Sequence, residues 1–231
     1  MKKLAFFFLM MLLPMVASAD AVEIDGIYYN LVAKNKIAEV TSMPSGKYTG
    51  SIIIPDTVKY DNVVYTVETI KEKAFNGCTR MTSITIPKSV TSIESYAFSG
   101  CTGLTSVHIR DLKAWCLISF YDFASNPLYY AHHLFLNNKE IKDLIIPNTV
   151  TSIGKNAFTG CNTLLTVSIP NSVTTIGDWA FQNCSGLTSV TIPNSITTIG
   201  IGTFKNCSSL TSVTIPNSVE LIKVDAFYGC I

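Results

Sequence analysis

Charge is scarce in this 231-residue chain. Only 14% of its residues are charged, and 17 basic against 16 acidic side chains leave a formal net charge of +1. Nucleic acid and anionic membrane surfaces are recognised by dense positive fields, and this chain has none to offer. Signatures of catalysis are missing as well. There is no G-x-S-x-G, H-E-x-x-H, Walker or dinucleotide-binding fingerprint. No C-x-x-C occurs among the seven cysteines, which removes the usual spacing of a zinc site. Beyond the N-terminus no apolar run is long enough to span a bilayer. The expectation is a non-enzymatic protein with no cofactor, no metal, no nucleic-acid partner and no membrane span after leader removal.

What the chain has instead is repetition. Leu187 to Ser209 reads LTSVTIPNSITTIGIGTFKNCSS, and it recurs with small changes from about Thr49 onward. Pro147, Pro170, Pro193 and Pro216 are each 23 residues apart, as are Cys161, Cys184, Cys207 and Cys230, with Cys78 and Cys101 an earlier pair. A fixed period of this size marks a solenoid in which each unit is one coil stacked on the last.

Within a unit, Val190-Thr191-Ile192 alternates as a strand with one buried face. Pro193 lacks an amide hydrogen and suits the corner after it, which Asn194-Ser195 continues. Ile196 to Ile199 is read as a second short strand on the opposite side. Segments such as Gly177-Asp178-Trp179-Ala180-Phe181 read as a single helical or 3₁₀ turn that drives the phenylalanine inward. One coil alone leaves both ends of its apolar layer wet, so stability must come from stacking.

Three segments depart from the repeat. Residues 1–19 have the form of a signal peptide: Lys2-Lys3, the apolar run Leu4 to Leu13, and Ala17-Ser18-Ala19 before a mature start at Asp20. No cysteine lies near the cut, which argues against a bacterial lipid anchor. Residues 20–48 read as a capping hairpin, Glu23 to Val32 and Ile37 to Thr41 joined across Lys34-Asn35-Lys36. The solenoid itself covers residues 49–231, with a small hairpin around Tyr60-Asp61-Asn62-Val63 in its first coil.

The third coil starts correctly at Leu104, Val107 and Ile109, then fails where Arg110 replaces the corner proline. Residues 111–140 form an irregular, aromatic-rich insert. Asp111 to Ile118 reads as a short helix with Asp111 near its N-cap and Leu112, Trp115 and Cys116 on one side. Ser125-Asn126-Pro127 is a turn, and Leu134 to Leu136, Asn137-Asn138 and Ile141 to Ile146 form a hairpin back into the repeat. The last coil carries no polar cap. Ile215, Val219, Ile222 and Phe227 are therefore expected to have an uncovered side.

The residues Leu187-x-x-Val190-x-Ile192-Pro193, Ile199-Gly200 and Phe204-x-x-Cys207 resemble the leucine-rich repeat family, specifically its BspA-like subclass. The same set recurs at Leu164, Val167, Ile169, Pro170, Ile176, Gly177, Phe181 and Cys184, and the resemblance covers about four-fifths of the chain. It implies a right-handed, β-rich solenoid with a parallel β-sheet on the concave face. One departure is Ser195 where the family has an asparagine, which puts the usual asparagine ladder in question.

The candidate sites follow from this layout. Six cysteines should form one column, read as buried free thiols acting as small apolar fillers in preference to disulfides. Cys116 with His132 or His133 is a conceivable catalytic pair, and His108, His132 and His133 a conceivable metal set. Neither has an accompanying motif. Outward strand positions are mostly a lawn of Ser and Thr and change character beside the insert. There His108, Asp143 and Ile145 are expected on neighbouring coils, with Trp115, Tyr129 and Tyr130 as aromatic contacts. Together these six residues are the candidate ligand contacts. The family resemblance implies a secreted or cell-surface protein that binds other proteins, host extracellular-matrix proteins among them, in adhesion. The alternative is a carbohydrate-binding module whose insert aromatics stack on sugar rings.

Overall fold

A computed structural model describes residues 21–230. Residues 1–19, read above as a signal peptide, lie outside the described residues. Among those residues no helix is long and apolar enough to cross a membrane.

Each coil contributes one strand to a front sheet and a shorter one to the back. The front strands Gly50–Ile53, Met81–Ile86, Ser106–Ile109 and Leu134–Leu136 are parallel neighbours. A second parallel set follows, Asp143–Ile145, Thr166–Ser168 and Ser189–Thr191. Its register places Asp143 beside Thr166 and Thr166 beside Ser189, which is the 23-residue period written in hydrogen bonds. On the back, two-residue strands such as Ser152–Ile153 and Thr175–Ile176 pair in the same way.

Between the sheets lies the apolar layer. Phe158, Phe181, Phe204 and Phe227 form a column of rings with centroids 5.3, 5.5 and 5.5 Å apart and nearly parallel planes. A second column runs Tyr48, Phe75, Phe98. Tyr48 was not foreseen as its first member. Its hydroxyl donates to the Thr41 carbonyl at 2.8 Å and accepts from the Tyr28 amide at 3.0 Å, so it ties cap to core.

The serine that replaces the family asparagine forms a ladder of its own. Ser172, Ser195 and Ser218 hydroxyls donate to the carbonyls of Val150, Val173 and Ile196 in the preceding coil. The hydroxyl of Ser89, in the same place one coil after the Tyr60–Val63 hairpin, is buried without a partner. The counterpart of Val150 in the preceding coil, Val58, lies in the hairpin, paired with Tyr65.

The cap is three strands rather than two. Val22–Ile24 and Ile27–Val32 pair antiparallel about a turn at Asp25-Gly26, and Ile37–Thr41 then lies parallel to Val63–Ile70 on the back sheet. Alternation ran through Asp25-Gly26 in the sequence, but both residues take positive φ, which a continuous strand does not tolerate.

The insert is itself an enlarged coil. Helix α1 (Leu112–Leu117) is capped, as expected, by the Asp111 side chain accepting from the Ala114 amide, and Leu112, Trp115 and Cys116 share its buried side. Ser119–Phe120 then pairs with Ser92–Ile93 on the back sheet, and a second helix α2 (Leu128–Ala131) follows Pro127. Leu134–Leu136 returns to the front sheet beside Ser106–Ile109. The Asn137-Asn138 turn has both residues at positive φ, as a two-residue hairpin requires. Its second strand is Lys139–Glu140, antiparallel, and this ends the first front sheet before Asp143 begins the second. At the last coil Ile215, Leu221 and Ile222 are exposed, while Val219 and Phe227 are half-buried.

Candidate functional site

The front sheet changes character where the sequence breaks. Ile53, Thr85, His108 and Phe135 are neighbours across four strands. Ile53 is 64% exposed. The His108 and Phe135 rings stack at 4.8 Å with planes 17° apart, and His108 Nε2 lies 3.1 Å from the Ser106 hydroxyl. Next in the chain comes Arg110, exposed at the corner that other coils fill with proline.

Two clefts adjoin there. One, of about 560 Å³, is lined by Ile53, Pro55, Asp56, Thr85, Pro87, Lys88, Arg110 and Asp111. The other, about 320 Å³, shares Ile53, Thr85 and Arg110 and extends to His108, Asn137 and Asn138. The two carboxylates are already engaged: Asp56 accepts from the Ser89 amide at 3.2 Å, and Asp111 from Ala114 at 2.9 Å. Arg110 and Lys88 make no ion pair among the described residues. The site therefore offers apolar surface, an aromatic stack and a guanidinium with unused donors. Arg110 was legible only as a missing proline. The signal that would have promoted it is a basic side chain at a repeat position that the other coils fill with proline.

The six expected contact residues are not brought together. His108 lies at this site. Ile145, 71% exposed, and Asp143 begin the second front sheet, and Leu134–Leu136 with Lys139–Glu140 stand between them and His108. Asp143 accepts from the Thr166 hydroxyl at 2.6 Å. Tyr129 and Tyr130 sit on α2 and are half-buried against the turns of neighbouring coils, the Tyr130 hydroxyl accepting from the Gly100 amide at 3.0 Å. Trp115 is a correction: it is 1% exposed and its indole Nε1 donates to the Ala157 carbonyl at 3.0 Å. That carbonyl lacks the backbone donor a regular preceding coil would supply, so the indole turns inward to meet it.

The comparisons bear on this arrangement. Residues 50–127 and 130–231 match the BspA type leucine rich repeat region, in six copies. The chain belongs to the BspA-type leucine-rich repeat family. A leucine-rich repeat protein from Bacteroides ovatus is 30% identical over 90% of this chain, with a TM-score of 0.64. The chain spans about half that protein's length, 50%. The Treponema pallidum leucine-rich repeat protein is 26% identical over 91% of this chain and 89% of its own, with a TM-score of 0.62. No curated protein matches the chain.

In this BspA-type chain the cysteine column is a structural series. The thiols of Cys101, Cys184, Cys207 and Cys230 each donate to the carbonyl of the phenylalanine in the preceding coil, at 3.1 to 3.2 Å. All seven cysteines are free, and only Cys230 is not fully buried. Burial pushes the Cys101, Cys116, Cys161 and Cys207 thiols up to about 12. Cys116 is thus a protonated thiol under α1. His132 Nδ1 lies 2.8 Å from the Gly160 carbonyl, and His133 Nδ1 is 2.6 Å from Glu140 Oε1. The three histidines are engaged at three separate places, and no cluster among the described residues could hold a metal ion.

A measurement follows. Iodoacetamide at mildly alkaline pH is expected to modify Cys230 alone in the native protein and all seven thiols in urea, as counted by mass spectrometry. Modification of Cys184 in the folded state would contradict the burial. Because the folded thiols titrate above the unfolded value of about 8.5, they favour folding fully below that pH. This contribution fades as pH rises from there through about 12.

Proposed function

We propose that this protein is an exported, non-enzymatic repeat protein that binds another protein through its front sheet beside the insert, in adhesion at a cell surface. The observation that carries the reading is the Arg110 cleft. An arginine with unused donors, beside exposed Ile53 and the His108–Phe135 stack, combines the residue types that dominate protein contacts. A solenoid sheet also presents one continuous face to a large partner. Export rests on the Lys2-Lys3, apolar run and Ala17-Ser18-Ala19 pattern. Adhesion, with host extracellular-matrix proteins as the partner class, rests on the family.

The test is binding of the purified chain to immobilised matrix proteins, beside Arg110→Glu and Ile53→Ser variants. Both positions are exposed, so folding should be unaffected and circular dichroism checks it. Saturable binding is expected to weaken roughly thirtyfold or more in Arg110→Glu, the effect of a contact hot spot. Equal affinity in both variants and the parent would remove the site from this face.

A further inference from the structure

A second surface lies on the back-sheet side of the coil, in the turn that follows each short back strand. There one position in each coil except that of the insert takes a left-handed backbone. It is occupied by Lys73, Tyr96, Asn156, Trp179, Gly202 and Asp225, with φ between 54° and 60°. Glycine and asparagine are natural occupants of such a backbone, and asparagine and aspartate adopt it more readily than other residues that carry a Cβ. A bulky aromatic there is an outlier, and such outliers persist where a site uses them. The half-buried Trp179 packs over Gly202 of the next coil, whereas nothing in the turn calls for an exposed ring at Tyr96.

Both lie on the side of the coil stack that also carries exposed rings of the insert. Tyr96 is 49% exposed and Tyr121 and Phe123 of the insert are 68% and 48% exposed. Backbone contacts fix their order, and the Phe123 ring packs on Tyr129 at 4.9 Å. The Tyr96 amide donates to the Asp122 carboxylate at 3.2 Å, which places Tyr96 beside Phe123. Exposed Lys155 reaches the Tyr121 carbonyl at 3.3 Å and lies over the half-buried Trp179 ring at 5.1 Å. The rings stand on the second, third and fifth coils, with buried Asn156 in this register on the fourth, and coils are spaced like stacked strands, about 4.8 Å apart.

We propose that this line of aromatic residues is a binding platform for a neutral, extended polysaccharide. Three features select that occupant. An extended β-linked pyranose chain advances per sugar by close to one coil, so successive sugars meet successive coils, and the apolar face of each ring suits an aromatic surface. The line is close to neutral: Asp122 is spent on backbone amides of Tyr96 and Ser125, and Asp178 on that of Ile201. An acidic glycan or nucleic acid would need a positive field that is absent. The Tyr96 and Tyr121 hydroxyls make no hydrogen bond among the described residues, so they are free for sugar hydroxyls. Lys155 is a flexible cover on the indole, and a sugar reaches that ring by displacing it. A protein partner would favour a desolvated pocket, and these rings line none of the clefts described above. This proposal stands independently of the Arg110 site.

The experiment is affinity electrophoresis of the full chain in gels containing hydroxyethyl cellulose, xylan or glucomannan. Tryptophan emission with the matching hexasaccharides is read alongside. Trp115 is buried, so a change in emission reports Trp179. Expected is retardation by at least one polymer. It should weaken roughly tenfold or more in a Tyr96→Asn/Trp179→Asn double variant, whose folding is checked by circular dichroism. Tyr121→Ser, at a ring that is largely exposed, gives the same direction with little risk to folding. Retardation by none of the three polymers overturns the proposal. So does retardation undiminished in the variants, or retardation lost in Arg110→Glu and kept in the double variant. Capture of a matrix protein that depends on Tyr96 and Trp179, without retardation by any polymer, also overturns it and assigns the line to a protein.

Discussion

Truncating Phe181 to alanine is expected to destabilise the protein by about 3–5 kcal/mol. The ring is fully buried and sits between two others, 5.3 Å from Phe158 and 5.5 Å from Phe204, with both planes within 5° of its own. Its loss removes transfer energy and opens a void that neither neighbour can fill. Their backbones are fixed: the Phe158 amide donates to Ala180, the Phe181 amide to Thr203 and the Phe204 amide to Ala226, all at 2.8 to 2.9 Å. The cavity therefore stays open, which is the costly case. Two coil interfaces weaken at once, and in a stacked array each coil depends on its neighbours. Urea unfolding should show a lower midpoint and, where the array splits at this coil, a reduced m-value. Phe227, which is half-buried at the last coil, should cost clearly less when truncated in the same way. Equal costs at Phe181 and Phe227, or a loss at Phe181 below about 1 kcal/mol, would mean that the column is not what holds the coils together.

The same column explains what the sequence could disclose. A period of 23 fixes which residues meet across coils, because hydrogen-bonded stacking converts equal spacing into contact. The cysteine series, the outward hydroxyls and the inward phenylalanines all follow from that single number. Where the period is absent, composition alone does not give direction. Trp115 reads as an exposed anchor or a core residue with equal ease until one knows that the Ala157 carbonyl lacks a coil donor. The same holds for His108 and Ile145, which occupy equivalent positions relative to the strand end. They are separated because the Asn137-Asn138 hairpin adds strands between them. Tyr48 precedes the first recognisable coil, so no spacing pointed to it. The left-handed positions of Tyr96 and Trp179 were in principle legible. Asn156, Gly202 and Asp225 occupy the same register, and residues of that kind at a fixed period mark a positive φ.

The junction at the insert supplies the last expected result. Two side chains donate to the Ala157 carbonyl: Trp115 Nε1 at 3.0 Å and Asn126 Nδ2 at 3.1 Å. Asn126 is fully buried. Its amide also donates to the Asn156 carbonyl at 2.7 Å, and its oxygen accepts from the Leu128 amide at 2.9 Å. In a regular pair of coils the corresponding carbonyl takes a backbone donor, as Ala180 does from Phe158. Here two side chains replace that rung, and through it they couple the coils before the insert to those after it. Asn126→Ala orphans the Leu128 amide and is expected to cost about 2–4 kcal/mol. Trp115→Phe keeps most of the packing and leaves Ala157 with its other donor, so about 1–3 kcal/mol is expected. The double variant leaves the buried Ala157 carbonyl with neither. Its cost should exceed the sum of the singles by about 1–3 kcal/mol. Strict additivity in the double-mutant cycle would show that the two donors act separately. Hydrogen exchange provides the second readout. Loss of the rung should open the amides of Phe98 and Gly154, which bond to the insert, before those of Phe181 and Phe204. Uniform opening of all four would show that the insert is no weaker than the repeats it joins.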